Sequence, residues 1–148
     1  KVNRVTEPKL PLSAYKNFSI YKLFILDIGL LCAMSELDAK TILDENNLFV
    51  EFKGALTEQY VLQQLICDTN YTPYYFGTDK ATFEQDFLIQ KENEIIPIEV
   101  KASTNVRSQS LKTFSEKYKP KLSVRFSLLP YCDQTWMINI PLFAVCNL

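Results

Sequence analysis

Histidine is absent from this chain. That removes an imidazole general base, a Ser–His–Asp or Cys–His arrangement, and any zinc site built on imidazole. Acid–base chemistry here falls to carboxylates, lysine, tyrosine or metal-bound water. Glycine is scarce, three in 148 residues, and no phosphate-cradling GxxxxGK[ST] loop occurs. The four cysteines, Cys32, Cys67, Cys132 and Cys146, form no CxxC pair. Set in apolar segments, they read as buried reduced thiols. The longest apolar region, residues 23–34, is interrupted by Asp27 and Gly29 and is too short to span a bilayer. No basic-then-apolar leader is visible, so a cytoplasmic protein with no membrane partner is expected. The chain starts at Lys1 and reads as a piece of a longer protein. Its net charge of -1 means that any affinity for nucleic acid rests on a local patch.

What is present is a substantial core: 47% of the residues are hydrophobic and 13% aromatic, enough for one compact domain. Residues 1–5 and 21–26 read as a strand pair separated by Pro8 and Pro11. Asp27 stands at a helix N-cap before residues 28–34. This pair followed by a helix has the order of a partial winged helix. A short helix is expected near residues 38–43. Residues 54–67 form the clearest helix, with Ala55, Leu62, Leu65 and Ile66 on one side. Strands follow at 73–76, 83–90 and 95–102, the last two joined as a hairpin through 91–94. A helix at 108–118, strands at 122–128 and 136–140, and a short helix opened by Pro141 complete the order. The expected fold is α/β, a mixed central sheet flanked by helices.

The stretch with most chemical content is Ile95-Ile96-Pro97-Ile98-Glu99-Val100-Lys101. In a strand, positions i and i+2 share a face, so Glu99 and Lys101 point the same way. With Asp86 on a neighbouring strand, two carboxylates and an ammonium converge. Asp86, Glu99 and the Val100 carbonyl suit Mg2+ or Mn2+, and Lys101 suits the attacking water or the phosphate charge. Glu58 on the preceding helix is either a third carboxylate of the cluster or an acidic residue favoured near a helix N-terminus. Glu-x-Lys also occurs at solvated sheet edges. The apolar neighbours of Asp86 and Glu99 favour a site, because a buried carboxylate is costly unless paired or metal-bound. Crowding also predicts that one of the two has a raised pKa.

Basic residues gather afterwards: Lys101, Arg107, Lys112, Lys117, Lys119, Lys121 and Arg125, against Glu116 alone. Arg107, Lys112, Lys117 and Lys119 are candidate contacts to a polyanion, or an ordinary solvated helix face. Tyr71, Tyr74, Tyr75 and Phe76 could stack on bases, but a core strand explains them more simply.

Glu58, Asp86 and Glu99-Val100-Lys101 resemble the PD-(D/E)xK nuclease superfamily, across residues 54–131. No Pro-Asp pair is present, since Gln85 precedes Asp86. Three blocks in order extend the likeness over nearly the whole chain: Tyr21-Lys22-Leu23-Phe24-Ile25-Leu26-Asp27-Ile28-Gly29-Leu30-Leu31, Gly54-Ala55-Leu56-Thr57-Glu58-Gln59-Tyr60-Val61 and Pro97-Ile98-Glu99-Val100-Lys101-Ala102. These are similar to the C-terminal domain of uncharacterised prokaryotic AAA+ family ATPases. The resemblance implies a restriction-endonuclease-like domain over 51–148 behind an N-terminal extension over 1–50. It also implies a magnesium-dependent nuclease acting on nucleic acid, with DNA as the expected substrate. ATP would bind only an AAA+ module ahead of this chain. The alternatives are a catalytically inactive nuclease-fold module that gives the ATPase DNA or protein specificity, and a purely protein-binding domain.

Overall fold

The computed structural model describes residues 1–36, 50–78, 83–103 and 107–148. The helix expected near 38–43 lies outside the described residues. The elements are β1 (Val2–Val5), a 3-10 turn (Leu12–Tyr15), β2 (Lys16–Lys22), α1 (Ile28–Met34) and α2 (Val50–Asp68). There follow β3 (Tyr74–Gly77), β4 (Glu84–Lys91), β5 (Glu94–Val100) and α3 (Gln109–Tyr118). β6 (Val124–Ser127), β7 (Cys132–Asp133), β8 (Ile138–Pro141) and a terminal 3-10 segment (Leu142–Asn147) complete the chain.

The eight strands of the described residues share one mixed sheet in the order β2-β1-β3-β4-β5-β6-β8-β7. β4 and β5 form the central hairpin, turning at Glu92, whose φ is 53°. β5, β6 and β8 run parallel to one another, and α3 lies in the crossover from β5 to β6. The N-terminal hairpin is present, and β1 lies parallel to β3. The segments 1–50 and 51–148 therefore share a sheet. β2 begins and ends earlier than the pattern of residues 21–26 predicts: it pairs with β1 through Lys16, Tyr21 and Lys22, with a register shift between them. Residues 23–26 instead lead into α1, where the Asp27 carboxylate accepts the Leu30 N–H at 2.8 Å.

Two apolar layers sandwich the sheet, and the period-2 alternation of β4 divides it between them. Phe87 and Ile89 join Ile96, Ile98, Val124 and Phe126 beneath Val61, Leu62 and Leu65 of α2. Leu88 points the other way, to Val5, Leu12, Tyr74, Phe76 and Phe114 of α3. Tyr74, Tyr75 and Phe76 are thus core residues. Ile66 is exposed, since the α2 stripe that meets the sheet runs through Val61, Leu62 and Leu65. The cysteines depart from expectation in their burial alone. All four are free thiols, Cys67, Cys132 and Cys146 are exposed, and Cys32 is half-buried. The three exposed ones sit near a helix end, on a two-residue outer strand and in the terminal turn, where apolar sequence neighbours do not imply burial.

Candidate functional site

The site begins where β4 and β5 part. Their ladder pairs Phe87 with Ile98, and beyond it β4 is irregular against β3, with a register shift between Tyr74 and Phe76. Backbone groups of β5 left by this departure are met by β4 side chains. The Gln85 amide donates to the Ile98 carbonyl at 2.6 Å, and the Asp86 carboxylate accepts the Val100 N–H at 2.7 Å. Gln85 is fully buried, and its amide helps to hold the strand that carries Glu99.

Glu99 is also buried. One of its oxygens meets the Lys101 ammonium at 2.6 Å, the same-face pair expected from i, i+2 spacing. Its other oxygen accepts the Leu111 N–H at 3.2 Å. Leu111 lies in the first turn of α3, whose N-cap Ser108 makes no side-chain cap. Glu99 therefore supplies the negative partner that the helix N-terminus lacks.

Asp86 has a different neighbourhood. Burial pushes its carboxyl up to about 7, the Glu58 and Glu99 charges add to the rise, and the Val100 N–H and Lys22 oppose it. The raised pKa expected from crowding is thus found at Asp86, with burial its largest cause and Glu58 ahead of Glu99. Lys22, at the end of β2, stands 2.5 Å from Glu84 and 3.7 Å from Glu58. Burial lowers its pKa, but Glu58, Glu84 and Asp86 outweigh this and leave the ammonium above its ordinary value.

The structure thus brings Glu58, Asp86, Glu99 and Lys101 to one end of the β4–β5 pair, with Lys101 on Glu99 and Lys22 among the other acids. Among the described residues, no three His, Cys, Asp or Glu side chains gather closely enough to cage a metal ion. Hydrated magnesium needs only one or two carboxylates, and the hard oxygen donors of Asp86 and Glu99 fit that demand.

Arg107, Lys112, Lys117 and Lys119 are exposed on and beside α3, the helix whose first turn touches Glu99. Arg125 does not belong with them. It is buried on β6, and its side chain bonds Asn139 at 2.8 Å and Ser108 at 3.4 Å. Lys22 and Glu84 join the site without any signal in the sequence around them. Lys22 is the last residue of β2, and no local pattern shows which distant carboxylates it meets.

Together the fold and the cluster define a mixed α/β sheet protein with a carboxylate–lysine site at the end of its central hairpin. The chain belongs to the DUF4143 family, described as a domain of unknown function, whose model matches residues 53–143. That span carries Glu58, Asp86, Glu99 and Lys101 and excludes β1 and β2. No curated protein and no solved structure matches the chain. No helix among the described residues is long and apolar enough to cross a membrane.

Proposed function

We propose that this chain is a nuclease-like module of the PD-(D/E)xK type that acts on nucleic-acid phosphodiesters with Mg2+ or Mn2+. The observation that carries the reading is the junction at the β4–β5 end. Each of two adjacent strands places an acid there, Asp86 on the backbone of Val100 and Glu99 on Lys101.

Asp86 and Glu99 would hold the cation, with the Val100 carbonyl as a third oxygen donor. Bound there, a divalent cation supplies Lewis acidity at the phosphate and lowers the pKa of water. Asp86 must give up its carboxyl proton to serve as a ligand. Glu99 is already oriented by α3 and by Lys101. The Lys101 ammonium balances the charge that grows on the phosphate oxygens, and Glu58 adds to the negative field that attracts the cation. Arg107, Lys112, Lys117 and Lys119 flank the site as phosphate contacts that position the strand without reading its sequence. The three blocks similar to AAA+ C-terminal domains support a parent chain with an ATPase module ahead of this one. DNA is the substrate we favour, and a cytoplasmic location suits it.

The test is cleavage of end-labelled single-stranded, duplex and branched DNA and of RNA with Mg2+ or Mn2+. Asp86→Asn and Lys101→Ala are each expected to lose about 100-fold or more in rate. Equal cutting by the variants and the native chain would remove the catalytic reading.

One observation favours a second reading. Both Glu99 oxygens are engaged, by Lys101 and by the Leu111 N–H, an arrangement that also serves a non-catalytic module binding DNA or a protein for its ATPase. Salt-dependent DNA binding without cleavage under any metal would establish that alternative.

A further inference from the structure

The carboxylate site contains an ammonium that its sequence neighbourhood does not contribute. Lys22 comes from β2, the outermost strand on its side of the sheet, and from outside the matched family span. Its side chain is three-quarters buried, with Nζ 2.5 Å from Glu84 and 3.7 Å from Glu58. The Tyr75 ring lies 5.1 Å from the same nitrogen. Glu84 is at the start of β4 and Glu58 on α2, so one ammonium ties three elements together around Asp86. Exposed ion pairs are worth little, whereas a half-buried charge between several acids is weakly screened.

We propose that Lys22 is the resident counter-ion of the carboxylate site, occupying the negative field of Glu58, Glu84 and Asp86 and competing there with a divalent cation. The inference rests on the reading of Asp86 as a metal ligand. Lys22 adds one positive charge close to Asp86, so a cation at Asp86 either displaces this ammonium or binds against its repulsion. The charge interactions already described for Lys22 and Asp86 agree with this, since each group favours the ionised form of the other. The N-terminal hairpin is then part of the site. Its position sets how readily the site takes up metal, and a partner that moves β2 would raise metal affinity without touching a ligand.

The experiment is Mn2+ binding, followed by calorimetry and by the electron paramagnetic resonance signal of free Mn2+, on the whole chain. Lys22→Met removes the charge and keeps the length of the stem. It is expected to tighten Mn2+ binding about tenfold. Lys22→Arg, which keeps the charge, is expected to bind within about twofold of the native chain. Adding Asp86→Asn to Lys22→Met is expected to abolish the gain, which places the extra affinity at this site. Should Lys22→Met not fold, as judged by circular dichroism, Lys22→Gln keeps a donor for Glu84 without the charge and reads the same affinity.

Equal Mn2+ affinity in the native chain and Lys22→Met would overturn the counter-ion role and leave the metal reading standing. Absence of Mn2+ binding in both would overturn the metal reading and this inference with it. Binding by Lys22→Met but not by the native chain would support the competition in its strongest form.

Discussion

At Asp86, burial and the Glu58 carboxylate both oppose ionisation, so the fold favours the protonated acid. Its carboxyl titrates near 7 in the folded chain, against 3.8 ordinarily. The contribution of this group to stability is therefore complete below pH 3.8 and is lost as pH rises through about 7. Asp86→Asn keeps an oxygen for the Val100 N–H and removes the titration. The variant is expected to gain about 1–3 kcal/mol on the native chain between pH 5 and pH 8. Urea unfolding at a series of pH values measures it, and a gap that shrinks with pH would contradict the assignment. Lys101 raises a separate question of stability. Lysine at the end of a strand reads as a solvated residue whose loss costs little. Its partner Glu99, however, is only 5% exposed. Lys101→Ala strands that carboxylate with the Leu111 N–H alone, and a loss of about 1–3 kcal/mol is expected in the same urea experiment. A change within about 0.5 kcal/mol would mean that the helix N–H suffices.

Among the elements, α3 links the site to the basic surface. Its first turn is held by Glu99, and its last turn closes at Lys119, whose φ is 49° in the left-handed region. A lysine there carries a backbone cost that glycine does not. Lys119→Gly is expected to stabilise the chain by about 1 kcal/mol, read from thermal or urea unfolding. If Lys119 also contacts a phosphate, the same variant reduces the slope of log affinity against log salt for DNA by about one. A stability gain with an unchanged slope would assign Lys119 to the cap alone. β4 and β5 show how an element can be legible while its neighbours are not. Alternation along β4 places Phe87 and Ile89 on one face and Leu88 on the other, and i, i+2 spacing puts Lys101 on Glu99. The irregularity at Gln85 and Asp86 follows from how β4 meets β3 and β5, which no single strand records.

For the whole molecule, the position of the N-terminal hairpin is decisive. Val2 and Val5 are 2% and 0% exposed, and β1 lies in the sheet between β2 and β3. A fragment of residues 51–148 would expose the β3 edge and part of both apolar layers. We expect it to lack a cooperative unfolding transition and to aggregate, in contrast to the full chain. Size-exclusion chromatography and amide nuclear magnetic resonance spectra compare the two. A dispersed spectrum from the fragment would support a domain boundary near residue 50.

Local chemistry alone determined a good deal of this protein. Side-chain periodicity located α2, α3, the central hairpin and the Asp27 cap, because backbone geometry repeats over a few residues and leaves its period in the sequence. Strand spacing likewise joined Glu99 to Lys101. The tertiary structure decided what those patterns meet. It buried Arg125 against Asn139, exposed Cys67, Cys132 and Cys146, and set Glu58 rather than Glu99 as the stronger charge on Asp86. It also carried Lys22 from the outer hairpin into the carboxylate cluster. Burial and electrostatic neighbourhood depend on residues far apart in the chain. A carboxylate next to leucine in sequence and a carboxylate next to lysine in space are separate facts, and only folding brings the second about.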